Sequence, residues 1–256
     1  MGGLQPNWTV FRPISKLESD GKGRGDEMQD RGGSPLERMK CLALVMALCG
    51  LICGVAWPAS APGGATNQRD PQVYAQQLSI ARSAYFRVIT TGDHAADQQA
   101  HDALTELEKA FPGDATAKAY HGSLELLDAA HNWEIWNLHK QASEGLALMD
   151  EAIAQAPDEP EARFIRAATS WHLPGFYHRR SQCEADFALL SARAEQDAQQ
   201  GKLPPELAAA TLNYWGQILV DRNDREKARG AFSVAMRIAA KSPGGQDAAR
   251  RLRALR

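Results

Sequence analysis

Residues Leu212–Ala235 read LNYWGQILVDRNDREKARGAFSVA. Apolar and small residues recur three and four apart on either side of a polar break at Asp221–Asp224. That is the period of two amphipathic helices joined by a short turn. In the second helix Ala228, Phe232 and Ala235 share one face, because spacings of four and three bring side chains to the same side of a helix. The two small residues admit a neighbouring helix closely, and the phenylalanine fills the space between them. Gly216, in the helix before, is the small residue on which such a neighbour can sit.

The same small–large–small triplet recurs upstream as Ala185/Leu189/Ala192, Gly145/Met149/Ala152 and Ala103/Leu107/Ala110. The copies stand at intervals of about 40 residues, a spacing that marks stacked helical pairs. Gly122 and Ala168 are small residues in the helices that precede two of them. Strand signals are lacking, because β-branched residues are sparse and Ala, Leu, Glu, Gln and Arg dominate. Breaks fall at Pro112-Gly113, Pro157, Pro160, Pro174-Gly175, Pro204-Pro205 and Pro243-Gly244. Helices are therefore predicted over 72–90, 98–111, 115–130, 143–156, 160–172, 180–199, 206–221, 224–241 and 245–255, with 131–142 able to add a further turn.

In Leu212–Ala235 the residues Trp215, Gly216, Leu219, Ala228, Phe232 and Ala235 resemble the signature of the tetratricopeptide repeat. Met149, Ala152 and Pro157, followed by Ala162, are a second, partial match. The resemblance spans about Val73–Ala240, with units longer than the family's own. It implies an all-α fold: a right-handed stack of antiparallel helical hairpins, about four, closed by a C-terminal capping helix. It also implies a non-catalytic scaffold or adaptor that binds a protein or peptide. The family's groove positions, carried over by register, are Arg166 and Thr169 in the third unit and Asn213 and Gln217 in the fourth. Long polar side chains there can bond an extended peptide. The dense lysine and asparagine set with which some family members clamp a chain-terminal carboxylate is absent.

A second surface competes with the groove. Both long insertions fall where the first helix of a unit turns into the second. One carries His131, Trp133, Trp136 and His139; the other carries Trp171, His172, Phe176, Tyr177, His178, Arg179 and Arg180. Aromatic and arginine side chains on a long connection read in three ways: packing on the hairpin end, a partner-binding hot spot, or capture of a small ligand or metal. His172 and His178 flank a Pro-Gly turn and can converge on a metal. His-Glu-x-x-His, paired cysteines and an Asp-rich calcium loop are all missing.

The first 65 residues read differently. Residues 1–38 form a Gly-rich polar leader that has too little apolar surface to order, and Met39 fits the true start. From Met39 a cationic start, the apolar run Cys41–Ala56 and small residues to Ala65 have the layout of a secretory signal, cut after Ala61 or Ala65. This leaves 66–256 as the repeat domain, in the periplasm or secreted. The alternative is an uncleaved 41–57 segment that holds the protein at the inner membrane. Three of the four cysteines lie in this signal, and Cys183 alone follows it, on a helix where a small packing residue is expected. Thr66–Val220 is net acidic and Asp221–Arg256 net basic, which reads as a solvated basic end with no call for nucleic acid. Phosphate loops, dinucleotide fingerprints and nucleophile elbows are absent, so neither an enzyme nor a cofactor is expected. The expected function is that of an exported scaffold for an envelope protein or peptide. A periplasmic small-ligand or metal carrier at the aromatic–histidine edge is the alternative.

Overall fold

The computed structural model describes residues 70–131 and 135–255, apart from the side chains of 130–139. The leader, the 41–57 segment and Trp133 lie outside the described residues, as do the side chains of Trp136, His131 and His139. Among the described residues the chain is all-helical, without strands: α1 (Pro71–Thr91), α2 (His94–Ala110), α3 (Ala115–His131), α4 (Ile135–Gln155), α5 (Pro160–Trp171), α6 (Arg180–Gln199), α7 (Pro205–Asp221), α8 (Arg225–Ala239) and α9 (Pro243–Ala254). None of these helices is long and apolar enough to cross a membrane.

The helix ends follow from local chemistry. Asp70 accepts from the Gln72 amide at 2.9 Å ahead of Pro71, and Ser242 accepts from the Gly245 amide at 3.1 Å ahead of Pro243. In both cases a side-chain oxygen satisfies an orphan amide while proline, which has no amide hydrogen to lose, opens the helix. Asp93 and Asp224 cap α2 and α8 in the same way. Gly92 closes α1 at φ +62°, a left-handed conformation that glycine adopts without cost. Two boundaries differ from expectation. Capping by Asp93 starts α2 at His94 rather than near 98. The segment expected as a long turn before 143 is mostly helix, since α4 begins at Ile135.

Consecutive helices pack along one another, most extensively α3 with α4 and α7 with α8. Alternate helices also touch: α1 with α3, α3 with α5, α5 with α7, α7 with α9, and α6 with α8. The seams inside the pairs are set by small residues. A Cβ on Gly122 would stand 2.5 Å from the Gly145 carbonyl oxygen and 2.9 Å from Leu148 Cβ, so two backbones meet there. A Cβ on Gly216 would run into the Phe232 ring, 2.7 Å from Cδ1. Gly145, Met149 and Ala152 are buried along this face of α4, and Ala228, Phe232 and Ala235 along that of α8, as expected. Burying Phe232 completely contributes about 2–3 kcal/mol.

Two expected triplets are corrected. In α6 Ala185 and Ala192 are exposed and Leu189 is 56% exposed; the helix buries Cys183, Phe187, Leu190 and Ala194 instead. In α2 Ala110 is exposed and the buried face is Ala96, Ala100, Leu104 and Leu107. Alanine gains little from burial, so on an Ala-rich helix the large side chains decide which face turns inward. Phe187 outweighs Leu189. Cys183 is the small partner in α6: its thiol donates to the Ala167 carbonyl at 3.2 Å, and burial pushes the thiol up to about 12.

Buried polar side chains join the pairs. Glu161 of α5 accepts from Arg82 Nε and Nη2 of α1 and from the Tyr120 hydroxyl of α3, each at 2.7 Å. Beside it the hydroxyls of Tyr85, Ser123 and Thr169 form a chain with steps of 2.6 and 2.7 Å, again across α1, α3 and α5. Satisfied in this way, buried polar groups fix how three helices sit relative to one another.

Candidate functional site

The four groove positions all find partners within the chain. Arg166 is 8% exposed; its Nε and Nη2 form a fork on Asp186 at 2.9 and 2.8 Å, and Nη1 reaches Asp150 at 3.1 Å. Arg163 donates to the same Asp186 at 2.8 Å, and Arg179 to Asp150 at 2.6 Å. Two arginines of α5 thus neutralise a buried aspartate of α6, the bidentate geometry that favours arginine over lysine. Thr169 is buried in the hydroxyl chain. Asn213 donates to Asp247 at 2.9 Å, and half-buried Gln217 donates to the Asn213 carbonyl at 3.3 Å. For Arg166, Thr169 and Asn213 the partner lies on another helix and is distant in sequence, so the sequence alone presents them as solvent-facing polar groups. Asp186 comes 20 positions after Arg166 and reaches it only when α6 packs on α5.

The connection between α5 and α6 builds a different surface. Trp171 closes α5 half-buried, its ring edge-on to Phe187 at 6.2 Å and 5.5 Å from Tyr214. The Arg180 guanidinium lies 3.9 Å from the centre of the indole, a cation–π contact. Arg180 is fixed in turn by Glu184 at 2.7 Å and Asp221 at 3.2 Å. That contact, with a further one from Arg222, holds the Glu184 carboxyl below its ordinary value. On this base stands a 3₁₀ turn, Gly175–Tyr177, closed by His178 in the left-handed region at φ +53°. Phe176 is 59% exposed, and its ring lies 4.6 Å from that of Tyr177. Of the expected edge aromatics, Trp171 and Tyr177 therefore pack against the core as supports, while Phe176 is the outer face.

His172 turns inward too, pairing with the Tyr214 hydroxyl at 3.1 Å, while His178 is exposed. The cavity behind it, lined by Tyr85, Phe86, Phe164, Thr169 and Tyr214 among others, holds about 20 Å³, space for one water. Burial lowers His172 to about 4. The folded protein therefore resists a proton that the unfolded chain accepts near pH 6.5. Stability carried by neutral His172 is complete above that pH and drains away as the pH falls toward 4. Half-buried Asp128 and Glu159, whose carboxyls burial holds above their ordinary range, act in the opposite sense. The informative quantity is thus a difference between proteins. His172→Gln keeps a partner for Tyr214 but does not titrate. Between pH 7.5 and 4.5 the wild type is expected to lose on the order of 2 kcal/mol more than this variant in urea unfolding. Equal losses would show that His172 is protonated freely in the fold.

Two features escaped the sequence reading. An open groove of about 730 Å³ runs between α1 and α2, with Ile80 exposed on its wall and Leu107 at its base. A second pocket, of about 440 Å³, lies where α2, α3 and α4 meet, and Asp93, His94, Asp97, Glu125, Asp128 and Gln141 line it. Beside it His101 Nε2 stands 2.7 Å from Asp128 Oδ2. The only sequence signal was Asp97 and His101, four apart on α2; Asp128 joins them through tertiary packing. Compared with protein-family models, with curated proteins and with solved structures, the chain matches none of them.

Proposed function

We propose that the chain is a tetratricopeptide-like stack of helical hairpins, exported to the cell envelope, that binds a protein or peptide partner without catalysing a reaction. The pattern of neighbouring and alternate helix contacts supports the stack, as do the glycine seams of α3/α4 and α7/α8. The reading Met39–Ala65 as a secretory signal supports export. The observation that carries binding is the exposed Phe176 ring, backed by partly buried Tyr177 on a turn that follows the Trp171, Arg180 and Tyr214 cluster. Rigid aromatic side chains on a preorganised support lose little entropy when a partner covers them, and such residues dominate binding energy at interfaces. The four groove residues are already engaged within the chain, which moves the expected contact from the groove to this edge. A small-ligand carrier at the same edge has less support, because the cavity there has room for one water and His172 is engaged with Tyr214.

The test is capture from an envelope extract with the full-length protein and with Phe176→Ala/Tyr177→Ala. The double variant is expected to retain its melting temperature and to capture the partner at least about tenfold less, two anchors at 1 kcal/mol or more each. Capture unchanged by the double variant would remove the edge from the binding surface.

A further inference from the structure

The pocket between α2, α3 and α4, closed at one end by Val88 and Gly92 of α1 and its cap, carries four carboxylates. Asp93 and Asp97 come from the first turn of α2 and its cap, Glu125 and Asp128 from α3, and Gln141 from α4; no lysine or arginine lines it. One ligand atom each from Asp97, His101 and Asp128 lie within 4.8 Å of one another. Asp97 and His101 are one helical turn apart on α2, and Asp128 faces them from α3. A carboxylate, an imidazole and a second carboxylate, drawn from two helices and converging on one point, have the composition of a three-ligand site for a divalent metal. Bound zinc holds its ligand atoms about 2.0–2.2 Å away, so tetrahedral ligands sit a little over 3 Å apart. For an ion to sit among the three, the His101–Asp128 contact at 2.7 Å has to part by about half an ångström and the Asp97 oxygen, within 4.8 Å, has to settle at the same spacing.

A second, independent feature points the same way. The Gln141 side-chain oxygen is fully buried and has no hydrogen-bond partner among the described residues. It lines the pocket from a third helix. A buried carbonyl oxygen without a donor is costly unless water or a cation meets it. Two carboxylates, Asp97 and Asp128, share this corner with one imidazole, and the ion pair of Asp128 is with His101. The nearby His121 offers no relief, being held between Glu108 at 3.1 Å and Glu125 at 3.4 Å.

We propose that Asp97, His101 and Asp128 bind a zinc ion, with water in the remaining position and the Gln141 oxygen facing it across the pocket. The mixed nitrogen–oxygen set selects zinc over magnesium and calcium, which prefer all-oxygen shells. The ion fastens α2 to α3, the junction between the first and second helix pairs. It is a clip on the scaffold, separate from the Phe176–Tyr177 edge and independent of the binding function proposed there.

The experiment uses untagged full-length protein, stripped with chelator and dialysed against zinc. One zinc per chain is expected by elemental analysis, with a melting temperature about 5 °C higher at an excess of zinc around a hundred times Kd. Asp97→Asn and His101→Gln are each expected to lose the zinc and the shift while keeping the metal-free melting temperature within about 2 °C. The paired variant His172→Gln/His178→Gln should keep both. Zinc retained by Asp97→Asn and His101→Gln, as it would be if the cysteines near the N-terminus held it, overturns the site. So does loss of zinc in the His172/His178 variant, or an equal shift produced by magnesium or calcium. A wild type that takes up no zinc would leave the three residues as an ion pair between two helices only.

Discussion

Replacing Gly122 by alanine is expected to destabilise the protein by about 2–3 kcal/mol, although alanine is the better helix former. In an exposed helix the same change gains up to about 1 kcal/mol. The reversal comes from the α3/α4 seam. The new methyl group would stand 2.5 Å from the Gly145 carbonyl oxygen and 2.9 Å from Leu148 Cβ. Neither neighbour can rotate away, since one is backbone and the other is fixed to it. The helices must separate, and every contact along them loosens, the usual cost of overpacking. Gly216→Ala meets the Phe232 ring instead. A ring can be exchanged for a smaller side chain, so adding Phe232→Leu should recover part of the loss at Gly216, while no side-chain change should rescue Gly122. Urea unfolding of the three proteins checks this. A Gly122→Ala variant as stable as the wild type would mean that α3 and α4 do not approach this closely.

Removing the carboxylate of Glu161 is expected to cost about 3–5 kcal/mol. Glu161 is 3% exposed and takes both arms of the Arg82 fork together with the Tyr120 hydroxyl. Burial raises the Tyr120 hydroxyl well above its ordinary value, with Glu161 adding to it, so the tyrosine stays a donor at any working pH. Glu161→Ala leaves a half-buried guanidinium and a buried hydroxyl without their acceptor, and the stranded charge dominates the loss. Glu161→Gln keeps the shape and one acceptor and should cost about half as much. Taking away all three polar groups together, with Glu161→Leu, Arg82→Met and Tyr120→Phe, should restore most of the stability, because an apolar cluster of similar volume strands no charge. Thermal and urea unfolding read all three. A Glu161→Ala variant that loses less than about 1 kcal/mol would mean that water reaches this network.

The helices themselves were legible because their ends are written in short-range chemistry. Proline, glycine and capping aspartates punctuate the chain, and eight of the helices start or stop within a few residues of where that punctuation lies. The α4 start was not legible: the polar residues around Asn137 and His139 read as a turn, yet the helix runs through them. The seams at Gly145/Met149/Ala152 and Ala228/Phe232/Ala235 were legible because a large apolar side chain stands between two small ones and no rival face exists. In α2 and α6 the alanines border more than one candidate face, and the choice fell to Leu104 and Phe187, whose advantage appears only once a neighbouring helix is present. The site was the least legible part. Arg166, Thr169 and Asn213 look like surface polar groups in sequence, and their partners on α6, α3 and α9 are found only by folding. Phe176 and Tyr177 were visible as aromatic residues on a long connection, but which of the nearby rings would face outward was decided by Trp171 packing on Phe187 and Tyr214.

The central claim is that the chain is assembled from helix pairs, each closed by its own seam and held mainly to its neighbours. Amide hydrogen exchange, followed by mass spectrometry on Gly122→Ala and on Gly216→Ala, tests it most directly. In a nearest-neighbour stack a damaged seam lowers the local opening energy of its own pair more than that of distant ones. Gly122→Ala is expected to lose protection chiefly across 115–155 and Gly216→Ala across 205–239, each leaving the other's segment nearly as protected as in the wild type. If both substitutions instead lowered protection evenly from 71 to 254, the helices would form one cooperative core and the account of a stacked repeat would be contradicted.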